Sequence, residues 1–138
     1  MDLLNSIKSK YYIQILLLFI VTMALYATSV RNEFLLIDDA GLVEGLLRLE
    51  EWSLKKHFFP EKSGGLYYRP LTMASYVFDR FFFNASSVWM HLHNVLLHLL
   101  NVFLVWGIAR TFVRYCNINE WAPFFTSLLF AVHPLATE

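Results

Sequence analysis

Nineteen consecutive residues, Tyr11 to Ser29, carry no charge, and no other feature limits the fold of this chain so strongly. About 20 apolar residues span the roughly 30 Å of hydrocarbon in a bilayer, so YYIQILLLFIVTMALYATS is long enough to cross one. Lys8 and Lys10 precede it and place the N-terminus on the cytosolic side by the positive-inside rule. A cleaved signal peptide is the alternative, with Ala27 and Ser29 at acceptable positions before a cut. Its apolar core is expected to be shorter, about 7–15 residues.

Two further apolar runs set the architecture. One extends from Trp89 to Ile108 and is closed by Arg110 and Arg114, which fall on the same side as Lys8 and Lys10 if two successive crossings are made. The other starts near Trp121 and is still running at Glu138, as expected of a truncated polypeptide. Composition agrees: 57% of residues are hydrophobic and 16% charged, with a mean hydropathy of +0.48. A soluble domain is about half apolar and a quarter charged. The expectation is an all-α membrane protein with about three transmembrane helices, at 11–29, 89–108 and 121–137, around an extracytoplasmic loop, 30–88. A net charge of zero and the lack of a basic run exclude nucleic acid as a partner; membrane lipids are the partner implied. The single cysteine, Cys116, excludes an internal disulfide.

The loop holds eight of the eleven acidic residues and seven of the eleven basic ones. Leu42, Leu46, Leu49 and Leu54 recur on one side of a helical period, opposite Glu50, Glu51, Lys55 and Lys56. This predicts an amphipathic interfacial helix over about 41–58, ended by Pro60. A second is predicted from Pro70, a favoured first helical residue, to about Phe83. Asn84-Ala85-Ser86 is an N-glycosylation sequon.

Several residues have the chemistry of a site. Asp38-Asp39 follows an apolar stretch. Adjacent carboxylates resist desolvation there, so they serve as a general base, hold a divalent cation or a cationic substrate group, or cap the following helix through Asp39. Tyr68-Arg69-Pro70 sets a guanidinium beside free helix N–H groups, a combination that binds phosphate; an interfacial Tyr/Arg cluster on headgroups is the alternative. His91, Asn94, His98 and Asn101 fall within an arc of roughly 80° on a helix, with His93 pointing elsewhere. Such a stripe bonds to neighbouring helices, lines a polar cavity, or ligates metal or haem, for which Asn is a poor ligand. His133-Pro134 kinks or ends the third helix, and Glu138 follows at the level of Asp38. Glycine-rich phosphate loops, zinc-spaced Cys/His sets and serine-nucleophile motifs are missing.

Asp38-Asp39, Tyr68-Arg69-Pro70-Leu71, His91 to Asn101 (HLHNVLLHLLN) and Leu129 to Glu138 (LFAVHPLATE) occur in one order. Together they resemble the transmembrane, tetratricopeptide-containing O-mannosyltransferases and their bacterial relatives, within the GT-C glycosyltransferase superfamily. The resemblance covers residues 10–138. It implies a bundle of ten or more helices that passes a sugar, with inversion, from a polyprenyl-phosphate donor to an acceptor hydroxyl on a polypeptide or glycan. It implies a general base at Asp38, support from Asp39, and Arg69 facing the donor phosphate. His91 and Glu138 match family positions without an assigned role, and Tyr68, Asn94 and His98 are further candidates for lining the site. The remaining transmembrane helices would be partners of this segment, in a bacterial plasma membrane or a eukaryotic endoplasmic reticulum. Two other classes stay open: a non-catalytic small membrane protein that assembles with other helices, and a histidine-rich metal or haem carrier.

Overall fold

The computed structural model describes residues 2–33, 40–48, 69–116 and 118–133. All regular structure among them is helical: α1 (Asp2–Tyr26), a 3-10 turn (Ser29–Arg31), α2 (Ala40–Leu47), α3 (Pro70–Phe83), α4 (Ser87–Cys116) and α5 (Ala122–Val132). They form two compact units, residues 1–29 with 93–138, and residues 30–92.

The first unit rests on matched spacings. α1 buries Gln14, Leu18 and Thr22, and α5 buries Pro123, Ser127 and Ala131, in each case every fourth residue. One helical turn is 3.6 residues, so each set forms a ridge. The ridge on α5 is made of small residues, which lets the α1 and α5 backbones approach closely. α4 adds Leu99, Val102 and Trp106, and the core cluster is Leu18, Val102, Trp106 and Ala131. Lys10 and Gln14 meet Glu120, whereas Tyr26 meets Ala131, so α1 and α5 run parallel. Trp106 meets Gln14 and His98 meets Ala131, so α4 runs antiparallel to both. The outward faces are apolar, with Ile13, Leu16, Ile20, Leu104, Ile108 and Leu129 all exposed.

Among the described residues two helices are long and apolar enough to cross a membrane: α1 within the segment Ser9–Arg31, and α4 with 30 residues. At about 1.5 Å per residue, α4 measures about 45 Å. The expected third span, 121–137, is described only to His133. Its described helix, α5, has 11 residues, about 16 Å and roughly half a bilayer core. It stops because His133 is already extended at φ −76°, ψ 127°. The ring of a following proline clashes with a helical conformation in the residue before it, and Pro134 follows.

In the second unit α3 has the bounds the sequence predicts, 70–83, with Pro70 in the first turn. Leu71, Phe78 and Phe82 lie exposed on it, while Val77 is buried with Leu46, Ala85 and Met90. The helix predicted at 41–58 is described only as the eight residues Ala40–Leu47, with Arg48 in a turn; residues 49–68 lie outside the described set. The last carbonyls of a helix have no partner within it. Arg80 supplies partners for α2, donating to Leu46 O at 3.1 Å and Leu47 O at 3.4 Å, and a cation there also suits the negative end of the helix dipole. Its Nη1 donates to Asn84 Oδ1 at 2.6 Å. Asn84 closes α3 in the left-handed region, φ 54°, a conformation asparagine tolerates. Ala85 follows at φ 52°, where a Cβ is unfavourable, and its N–H reaches back to Asp79 O at 3.1 Å.

Candidate functional site

Arg69 occupies the N-cap position of α3, exposed, with φ −129° and ψ 68°. No side chain caps that end; the first turn is closed by Met73 N–H donating to Arg69 O at 3.0 Å. Arg69 thus holds the position immediately before a 14-residue helix, as the sequence predicts. Asp38, Asp39, Tyr68 and Glu138 lie outside the described residues. α2 begins at Ala40, immediately after Asp39 in the sequence.

The polar stripe of α4 does not lie on one buried face. The buried ridge runs through Val95, His98, Leu99, Val102 and Trp106, so it is rotated from the stripe and shares only His98 with it. Asn94 and Asn101 are exposed, and His91 and His93 are half-buried. His98 serves packing: its Nε2 lies 3.2 Å from Ala131 O, the ring stacks on Phe130 at 5.6 Å, and Tyr26 meets it edge-on at 5.2 Å. Tyr26 Oη donates to the same Ala131 carbonyl at 2.9 Å. That carbonyl, at the end of α5, is thereby held by α1 and α4 together.

The sequence reading missed a polar chain at the other end of this unit. Trp106 Nε1 donates to Gln14 Oε1 at 2.9 Å, and Gln14 Nε2 donates to Glu120 O at 2.9 Å. Lys10 Nζ bridges Glu120 Oε2 at 2.8 Å. Arg110 stands 4.1 Å from the ring centre of Tyr11 and 5.4 Å from that of Trp106. The signal was present: Gln14 is the lone amide in a charge-free apolar run, and polar groups there turn toward the bundle. Also missed was Asp79 on α3, only 2% exposed and the one buried charge among the described residues. Those residues hold no group of three or more His, Cys, Asp or Glu able to bind a metal ion.

No family model matches the chain, and no solved structure matches it. Over 72 residues it is 36% identical to Protein O-mannosyl-transferase TMTC1 of Mus musculus. That stretch is 51% of this chain and 7% of the mouse protein, so the chain spans a small part of that relative's length.

Proposed function

We propose that this chain is the N-terminal segment of a polytopic glycosyltransferase that moves a sugar from a polyprenyl-phosphate donor to an acceptor hydroxyl, on protein or glycan. The similarity to an O-mannosyl-transferase over 72 residues carries the reading. Two helices able to cross a membrane and an arginine at the start of α3 support it. In this reading α1 and α4 are membrane spans, and residues 30–88 lie on the extracytoplasmic side, opposite the end that carries Lys10, Arg110 and Arg114.

Asp38 takes the proton from the acceptor hydroxyl as it attacks the sugar, and Asp39 supports it. A divalent cation between the two carboxylates is compatible with this chemistry. Arg69, with the first N–H groups of α3, stabilises the phosphate that leaves. The test is sugar transfer by the full-length protein, with variants at matched membrane expression. Asp38→Asn should lower turnover by roughly 10²–10⁴-fold, the usual contribution of a general base. Asp39→Asn should be milder, and Arg69→Ala should weaken handling of the donor. Near-normal transfer by Asp38→Asn removes it from the base role; normal transfer by both Asn variants leaves Asp39 as a helix cap.

A further inference from the structure

We infer that Arg110 and Arg114, framed by Tyr11 and Trp106, form a headgroup site for an anionic glycerophospholipid at the basic end of the first unit. The proposal rests on the membrane reading above, but not on glycosyl transfer.

Charge balance is the first argument. Lys10 and Glu120 neutralise each other at 2.8 Å. Among the described residues no carboxylate lies within ion-pair distance of Arg110 or Arg114, so two positive charges remain uncompensated at this end. They sit four residues apart on α4, neighbours on one helix face, where like charges repel. A bound anion removes that repulsion.

Donor count is the second. A guanidinium carries five N–H donors and no acceptor. The Nε of Arg110 is buried and has no hydrogen-bond partner, so its terminal Nη groups carry the donors that an incoming anion can reach. The described contacts of its guanidinium are the faces of two aromatic rings, which hold a cation and orient it but accept little. Arg114 is exposed and falls in the last turn of α4, where the helix dipole accounts for a cation. Arg110 lies six residues before the end of that helix and gains little from it.

Depth is the third. Tyr115, 87% exposed, follows Arg114 in the sequence; Tyr12, 70% exposed, follows Tyr11, which Arg110 touches; and Trp106 and Trp121 lie at the same end of the unit. Tyr and Trp collect at the headgroup level of a bilayer. A planar guanidinium held there meets lipid phosphate as its commonest acceptor, and pairs with it through two parallel hydrogen bonds. By the positive-inside rule this end faces the cytosolic leaflet, whose lipids carry the negative charge.

The experiment uses the full chain in nanodiscs and in detergent supplemented with phosphatidylglycerol or phosphatidylcholine. Retained lipid is counted by native mass spectrometry, and melting temperature is followed in parallel. Each arginine near an anionic surface is expected to contribute about a fivefold preference. Arg114→Gln, at an exposed position, should lower the phosphatidylglycerol preference by about that factor, and Arg110→Gln likewise. The double variant should retain both lipids equally, Arg110→Lys should keep most of the preference, and Arg80→Gln in the other unit should change nothing. Equal retention of the two lipids by the unaltered chain overturns the site. So does an Arg110→Gln variant that melts lower in both lipids with its preference intact, which makes Arg110 a ring clamp alone. Loss of the preference on adding inorganic phosphate at millimolar concentration assigns the site to a soluble anion and overturns the lipid. A chain that stays in solution without detergent refutes the membrane reading itself, a result distinct from all of these.

Discussion

In the unit made of residues 1–29 and 93–138, Gln14 is wholly buried and its amide joins Trp106 to the Glu120 carbonyl, while leucine and isoleucine side chains face outward. In the unit made of residues 30–92, the cross-element bonds come instead from Arg80, half-buried, which holds the last carbonyls of α2. Both units have apolar clusters inside and apolar side chains outside: Leu18, Val102, Trp106 and Ala131 in the first, and Leu46, Val77, Ala85 and Met90 in the second, where Leu71, Phe78 and Phe82 are exposed. They differ in the bond that joins their helices, a wholly buried amide in the first and a half-buried guanidinium in the second. Lipid tails are as apolar as leucine, so helices in a bilayer associate through close packing and interhelical hydrogen bonds. At a water boundary, burying an apolar face drives association and exposed charges remain solvated. The difference teaches that a neutral amide suits a link between helices whose outer faces are apolar, whereas a guanidinium suits a link at a helix end that reaches a boundary.

The largest expected effect falls on Gln14. Gln14→Leu leaves the Trp106 N–H and the Glu120 carbonyl without their partners. Measured interhelical bonds in membranes contribute about 0.6–1.7 kcal/mol each, so the loss is about 2 kcal/mol. Reversible unfolding in mixed micelles measures it. A loss below a few tenths would break the comparison, because the buried amide would then be incidental. Arg80→Met comes next, at about 1 kcal/mol, since the Leu46 and Leu47 carbonyls can turn to water. Hydrogen exchange should rise across residues 40–48 and stay unchanged in α1 and α5; a change in α1 would show that the units do not behave separately. The smallest is Tyr26→Phe, about 0.5 kcal/mol, because Ala131 O keeps its contact with His98. Tyr26→Phe in combination with His98→Leu should cost more than the sum of the two, as expected of a shared acceptor.

How much could be read without coordinates differed by position. The uncharged run at Tyr11–Ser29 and the run from Trp89 required helices of spanning length, because a backbone in hydrocarbon must satisfy its own hydrogen bonds. Pro70 set the start of α3 through local sterics, and the pre-proline effect at His133 was likewise local. Of the expected third span the described helix covers Ala122–Val132, and residues 134–137 of it lie outside the described set. Arg69 was legible as the residue before a helix start, since that is a property of its neighbours in the chain. The stripe on α4 was legible as a stripe but not as a face: periodicity fixes angles within one helix, and only packing decides which angle meets a neighbour. His98 thus turned out to hold Ala131, and Asn94 and Asn101 turned outward. The chain of Lys10, Gln14, Trp106 and Glu120 joins residues up to 110 positions apart, and no local rule of sequence carries such a distance. It exists because α1 and α5 run parallel at close range with α4 antiparallel beside them, which tertiary structure alone decided.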